Sequence, residues 1–145
     1  MKFRHLHLVS ILTASLFTAP LARADDHDET PLGEQMEMIS DAFKLVRRQV
    51  EDASANASTL EQLATIRAAA EKGLAFEPAY AAEKPAAERT AFIAKYREDM
   101  RTFIATIDEV AAALTAGDNP LATELVAKMR SAQRSGHKAY RAPKD

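Results

Sequence analysis

Apolar residues recur every three or four positions in four separate segments of the chain, and no segment alternates with the period of two that is typical of a strand. Such spacing places the apolar residues on one face of a helix. The pattern therefore predicts an all-α protein: an up-down-up-down antiparallel four-helix bundle with left-handed packing. The predicted core stripes are Met36, Ile39, Phe43, Val46 and Val50; Leu60, Leu63, Ile66 or Arg67, Ala70 and Leu74; Ile93, Tyr96, Met100, Phe103, Ile107, Val110 and Leu114; and Leu121, Leu125, Val126, Met129 and Ala132, continuing to Gly136, His137 and Tyr140.

Local signals place the helix boundaries. Thr30-Pro31 supplies an N-cap and a first-turn proline, and residues 58–61 (Ser-Thr-Leu-Glu) match a capping box for the second helix. Residues 77–85 contain two prolines and lack a clear period, which predicts the longest connection. Residues 117–120 (Gly-Asp-Asn-Pro) end the third helix and start a fourth, which runs over about 120–140. So short a link makes the last two helices antiparallel neighbours.

The first 24 residues have the pattern of a cleaved secretory signal. Two cations at positions 2 and 4 precede a mostly apolar run over 6–19, and Ala22-Arg23-Ala24 follows as a small-residue cleavage site. The apolar run is too short to span a bilayer and is interrupted by hydroxyl side chains. The sequence predicts export to the periplasm, with 25–145 as one domain that does not insert in a membrane.

Charge and cysteine content exclude several classes of function. Three cations lie in the signal, so sixteen lysines and arginines remain against twenty-one acidic residues, a net charge of −5. A mildly acidic, mixed surface argues against nucleic-acid binding and gives a faint indication of a basic redox partner. The absence of cysteine excludes disulfides, thiolate metal sites and thioether attachment of haem.

Two side chains on the apolar stripes could bind one metal centre. Met36 lies roughly 9 Å from the start of the first helix, and His137 lies roughly 5 Å from the end of the fourth. These ends coincide in an up-down bundle, so an imidazole and a thioether face each other across adjacent helices. This arrangement suggests a non-covalently held haem.

His27 sits among acidic residues and is expected to be solvated, while Met100 and Met129 are expected in the core, away from the His137 end or at another depth. A carboxylate-bridged di-iron site is disfavoured, because acidic residues fall off the stripes and no Glu-x-x-His motif occurs.

Several short segments together resemble the cytochrome b562 family. They are Leu-Gly-Glu-Gln-Met-Glu at 32–37, Lys-Leu-Val at 44–46, Arg-Ala-Ala-Ala at 67–70, Tyr-Arg at 96–97, Ile-Asp-Glu at 107–109 and His-Lys-Ala-Tyr-Arg at 137–141. The resemblance implies a four-helix bundle that carries one non-covalent haem b per chain and transfers electrons in the periplasm. It also implies that Met36 and His137 are the axial ligands.

Two positions near the histidine depart from that family's pattern. An aromatic residue commonly precedes the ligand histidine, where this chain has Gly136, and Gln133 replaces an arginine four positions before it. Arg141 and Arg134 are the candidates for binding a haem propionate. The residues expected to pack against the porphyrin are Leu32, Ile39, Phe43, Met100, Phe103 and Met129.

Three functions fit these observations. The first is a monomeric, non-enzymatic electron-transfer protein with an unidentified redox partner. The second is a cofactor-free periplasmic adaptor or chaperone, and the third is a five-coordinate haem sensor of diatomic gases in which Met36 is only a core residue. The haem spectrum, with and without carbon monoxide, separates them.

Overall fold

Four long helices account for most of the chain in the computed structural model, which describes residues 30–142. They are α1 (Pro31–Gln49), α2 (Asn56–Gly73), α3 (Ala86–Thr115) and α4 (Asn119–Tyr140). Short 3₁₀ helices at Ala53–Ala55 and Ala79–Glu83 lie in two of the connections, and no strand occurs in this part of the chain. The predicted all-α four-helix bundle is confirmed. The predicted signal at 1–24 and His27 lie outside the described residues.

Local motifs predicted four helix boundaries: the starts of α1, α2 and α4 and the end of α3. All but the start of α2 are confirmed. Thr30 caps α1, since its hydroxyl accepts from the amide of Gly33 at 3.0 Å. Asp118 caps α4 by accepting from the amide of Leu121 at 3.0 Å, and Gly117 precedes it with φ 75°. A residue with a β-carbon would be strained in that left-handed conformation, so glycine permits the tight reversal.

The capping box predicted at 58–61 is wrong. Helix α2 begins at Asn56, directly after a 3₁₀ turn whose N-cap is Asp52, and no side chain caps the start of α2 itself. Thr59 is fully buried, and its hydroxyl donates back to the carbonyl of Ala55 at 3.0 Å. The local motif is overridden because Asn56 makes tertiary bonds that start the helix earlier, as described below.

The core fills the space between the helices with the predicted stripes. Its largest fully buried side chains are Phe43, Val46, Leu63, Ile66, Ile107, Val110 and Met129. Arg67, the alternative to Ile66, instead lies on the surface and bridges to Asp108 of α3 at 2.8 Å. Leu121 was expected in the core but is 44% exposed, because Ala122 occupies the inward position of that turn.

The helices do not pack equally around the bundle. Helix α1 packs along α2, α2 packs against α3, and α3 packs along α4, whereas α1 and α4 make at most marginal backbone contact with each other. Sequential antiparallel packing brings the start of α1 and the end of α4 to the same end, here called the cavity end. The seam between α1 and α4 is therefore the least tightly packed side of the bundle within residues 30–142.

At the opposite end, here called the closed end, an asparagine pair joins the connections. Asn119 donates to the carbonyl of Val50 and to Oδ1 of Asn56, each at 2.8 Å. Asn56 donates in return to the carbonyl of Leu114 at 3.3 Å and to Oδ1 of Asn119 at 3.2 Å. Asn119 thereby satisfies the carbonyl of Val50 at the C-terminal end of α1, whereas the carbonyl of Leu114 also accepts from the amide of Gly117 at 3.0 Å.

Candidate functional site

A cavity of about 660 Å³ opens at the cavity end, with walls from α1, α3, α4 and the segment Pro78–Tyr80. This volume lies in the range of about 300–1,000 Å³ typical of small-molecule and cofactor sites. Its deeper surface is apolar, with Leu32 and Ile39 on one side and Met100 and Phe103 on the other. The cavity exists because α1 and α4 stand apart while each is held by its other neighbour.

Met36 and His137 both line this cavity, one from each of the two separated helices. Met36 lies in the second turn of α1 and is half-buried. Its methyl carbon lies near Gly73 of α2, where a β-carbon would be 3.4 Å away, and the hydroxyl of Tyr96 lies close to the same point. Neighbouring side chains therefore surround the thioether on the α2 side.

His137 lies in the last turn of α4, at the mouth of the cavity, and is the only histidine among residues 30–142. The residue as a whole is exposed, but partial burial of its imidazole, helped by the positive charge of Arg141, lowers its pKa. A lowered pKa favours the neutral imidazole, which is the form that binds metals.

A thioether and a neutral imidazole above apolar walls form a donor set that suits haem iron better than a hard cation. Hard cations prefer several oxygen ligands, and no group of three or more His, Asp or Glu side chains that could hold a metal ion occurs in the described part of the chain. An apolar slot with one soft donor and one nitrogen donor instead matches a planar macrocycle whose iron needs only two axial ligands.

The family comparison agrees with this geometry. The model of the cytochrome b562 family matches residues 31–141, which spans all four helices. The chain belongs to the cytochrome b562 family. Members of this family are haem-binding, non-enzymatic four-helix bundles and are typically periplasmic. No curated protein matches the chain significantly. Within residues 30–142, none of the helices has both the length and the apolar character needed to cross a bilayer.

Met100 was predicted in the core, away from the His137 end or at another depth, and also among the residues that pack against the porphyrin. It packs against the core but lines the same cavity as His137, so the predicted separation from His137 is wrong. The hydroxyl of Tyr140 bonds Asp99 at 2.5 Å, which sets the last turn of α4 level with that part of α3. Helix α3 has 30 residues and α1 only 19, so Met100, midway along α3, still lies level with the cavity. Met100 is thus a second thioether at the site.

Other predicted site residues are partly corrected. Phe43 and Met129 are almost completely buried in the core and do not line the cavity. Arg141 lies at the cavity mouth, whereas Arg134 is exposed and is not part of the cavity lining. Gly136 lines the cavity, and a β-carbon there would meet no atom within 4 Å, so the missing aromatic leaves open space beside the histidine.

Sequence reasoning missed a polar anchor at the cavity mouth. The hydroxyl of Tyr140 donates to Oδ2 of Asp99 at 2.5 Å, and Nζ of Lys95 donates to its Oδ1 at 2.6 Å. Partial burial acts to raise the pKa of Asp99, but the bonds from Lys95 and Tyr140 outweigh it and leave the pKa lowered. Tyr140 was predicted only as the last residue of the fourth stripe and as part of the resemblance, and nothing in the local pattern of α3 marks Asp99 as its partner.

An aromatic cluster backs this anchor. The ring of Tyr140 packs edge-on against Phe92 at 5.4 Å and Tyr96 at 5.3 Å between centroids, and Phe92 packs in turn against Tyr80 at 6.0 Å. The hydroxyl of Tyr96 donates to the carbonyl of Gly73 at 3.0 Å, and burial raises the pKa of Tyr96 to about 12. The cluster holds the end of α4 against α3 and the 3₁₀ helix.

Proposed function

We propose that the cavity between α1 and α4 holds one haem b without covalent attachment, with Met36 and His137 as axial ligands, and that the protein transfers single electrons. The observation that carries this proposal is that these two donors, one on each side of the open seam, line one apolar cavity. Family membership supports the haem, and the chain has no cysteine for covalent attachment.

The ligand set decides the type of chemistry. A bound haem b supplies a one-electron iron couple. If side chains fill both axial positions, no open position remains for a substrate or for oxygen, which favours electron transfer over catalysis at the metal. A methionine opposite a histidine also raises the reduction potential, because the soft thioether favours ferrous iron.

Two arginines could bind the carboxylates at the edge of the haem. Arg141 lines the opening next to His137 and offers a guanidinium to a carboxylate. Arg134, two turns before Arg141 on the outer side of α4, is the second candidate for the same role. The apolar walls exclude water from the macrocycle, and burying it there supplies much of its binding free energy.

We propose a periplasmic location, after removal of residues 1–24. The support is the arrangement of cations, apolar run and small-residue site at the start of the sequence. N-terminal sequencing of the protein from a periplasmic extract, with Asp25 expected as the first residue, tests it.

Absorption spectroscopy and redox titration of three variants test the ligands. His137→Ala should lose most haem affinity, because the only imidazole in the described part of the chain is gone. Met36→Leu should retain haem but lose the six-coordinate spectrum, show a lower reduction potential and bind carbon monoxide. Met100→Leu is the matched control: it removes a thioether from the same cavity at nearly constant volume and should keep the wild-type spectrum.

The outcomes separate the rival functions. A change caused by Met100→Leu but not by Met36→Leu would move the axial thioether to α3. Rapid carbon monoxide binding by the unmodified protein, unaffected by Met36→Leu, would favour the gas sensor. A protein that takes up no haem, and so has no Soret band, would favour the adaptor.

A further inference from the structure

Every charged side chain in the second half of α4 is a lysine or an arginine. Residues 125–142 contain five lysines and arginines and no acidic residue, whereas residues 30–124 contain ten basic against sixteen acidic residues. The described chain therefore divides into a long stretch of net charge −6 and a short one of +5. The expectation of a basic partner, based on net charge alone, overlooks this separation.

Four of the five cations share one face of α4 and are called here the α4 basic stripe: Arg130, Arg134, Lys138 and Arg141. Steps of four, four and three residues keep them within roughly 80° of each other around the helix. All four are exposed, and none forms a salt bridge with an acidic residue in the described part of the chain.

The stripe runs beside His137 and reaches the cavity mouth with its last residue. His137 lies roughly 20° round the helix from Arg130, at the edge of the stripe, and Arg141 lines the cavity together with His137. The fifth cation, Lys128, lies roughly 160° round the helix from Arg130. Lys128 lines the cavity from the flank of α4 that faces α3, where it approaches Glu109 at 3.7 Å.

We propose that the α4 basic stripe is the docking surface for an acidic electron-transfer protein, which approaches the cavity from the side of His137. This inference rests on the proposed function, since it takes the cavity to be the point where electrons leave. Negative charge elsewhere and positive charge beside His137 give the molecule a dipole that turns this side of the cavity mouth toward an acidic surface. Even if Arg134 and Arg141 bind carboxylates within the site, Arg130 and Lys138 remain free for a partner.

A protein fits this surface better than an anionic membrane does. A helix that lies on a bilayer needs a free apolar face beside its cations, but Val126 and Met129 are buried in the core, and the exposed Leu121 lies roughly on the opposite side of α4 from Arg130. The residues between the cations are small or polar, such as Ser131 and Ser135. The stripe spans roughly 16 Å along the helix, the size of a compact acidic patch.

Small charged oxidants test the local charge directly. The haem-loaded, reduced protein is mixed with ferricyanide, a trianion, while ionic strength rises from about 0.01 M to about 0.15 M, which shortens the Debye length from about 30 Å to about 8 Å. A net charge of −5 predicts that oxidation speeds up with salt, whereas a cationic docking surface predicts that it slows by about threefold or more. A cationic cobalt(III) oxidant should show the opposite trend.

Two double variants with the same change in net charge locate the effect. Arg130→Gln with Lys138→Gln should lower the ferricyanide rate constant by about threefold or more at low salt. Arg47→Gln with Arg48→Gln, in the exposed last turn of α1 at the closed end, should change it by less than about 1.5-fold. Binding of fluorescent polyglutamate to the haem-loaded protein, measured by anisotropy, should weaken in the first pair only.

Each contrary result overturns the inference. Oxidation by ferricyanide that accelerates with salt, or equal effects of the two double variants, would show that the stripe does not govern docking. Stripe-dependent binding to phosphatidylglycerol vesicles without binding to polyglutamate would assign the stripe to a membrane. A protein that takes up no haem contradicts the proposed function instead, and a haem spectrum recorded first distinguishes the two failures.

Discussion

Tyr140→Phe should loosen the turn of α4 that presents His137. The hydroxyl of Tyr140 donates to Oδ2 of Asp99 at 2.5 Å and so ties the last turn of α4 to α3. Phenylalanine would keep the ring packing against the aromatic cluster but remove this donor. Apart from this ring packing, the turn makes no other side-chain hydrogen bond among the described residues, Gly136 directly precedes it, and the helix ends at Tyr140.

The expected loss is about 1–1.5 kcal/mol. Hydrogen bonds to charged groups contribute about 1.5–3 kcal/mol, but the side chain of Asp99 is 44% exposed and retains Lys95 at 2.6 Å, so the lower end applies. Because about 1.4 kcal/mol corresponds to a tenfold change in a binding constant, haem affinity should fall by roughly five- to tenfold. Haem affinity falls because haem binding must then also order the last turn of α4, which offsets part of the binding free energy.

Two matched variants make the assay specific. Tyr80→Phe removes a hydroxyl from the same aromatic cluster. This hydroxyl makes no hydrogen bond within the described residues, so its loss should leave haem affinity unchanged. Gly136→Ala adds a methyl group where no atom lies within 4 Å and favours the helix by about 0.5–1 kcal/mol, so it should restore much of the loss when combined with Tyr140→Phe.

The readouts are the haem dissociation constant and amide hydrogen exchange at 137–140. Faster exchange in Tyr140→Phe, with recovery in the double variant, supports a positioning role. The reasoning is refuted if exchange at these amides is unchanged, or if Tyr80→Phe lowers affinity equally. Faster exchange with unchanged haem affinity would instead count against His137 as a ligand.

Two further predictions concern stability. Asn119→Ala should cost about 2–3 kcal/mol, because it removes bonds to Val50 and Asn56 and leaves a buried carbonyl without a donor; urea unfolding should show Asn119→Ala and Asn56→Ala to be non-additive, and additivity would contradict a coupled pair. The lowered pKa of Asp99 means that the unfolded chain binds its proton more readily, so this contribution is present above about pH 4 and is lost as pH falls further. Asp99→Asn should therefore make the urea midpoint less sensitive to pH below about 4, and an unchanged slope would argue against it.

The sequence predicted those features that depend on one helix at a time. The core stripes follow from helical spacing, as Phe43, Val46 and Ile107 illustrate, and their burial is confirmed. The caps at Thr30 and Asp118 are also local, because each side chain bonds an amide three residues ahead. Such features need no knowledge of which helices are neighbours.

Features that depend on register between helices were missed or misplaced. Met100 was assigned the wrong depth because the offset between α3 and α4 is set by packing, in particular by Tyr140 on Asp99, and not by the position of either helix start. The predicted start of α2 was wrong for the same reason. Asn56 bonds to groups 58 and 63 residues away, which no local motif contains. That Met36 and His137 line one cavity could be predicted because both lie near helix ends, where small errors in register matter least.

The two ends of the bundle have different roles. The closed end contributes to stability, and the cavity end carries the proposed site. At the closed end, bonds between Asn119 and Asn56 join the α1–α2 connection to the α3–α4 connection. At the cavity end, α1 and α4 lack close mutual packing, so apolar surface that would otherwise complete the core is left to line the cavity. A group that fills this space and binds side chains on both helices replaces the missing contact, and its binding free energy adds to that of folding. A bundle closed by packing at both ends would be more stable alone but would have no site.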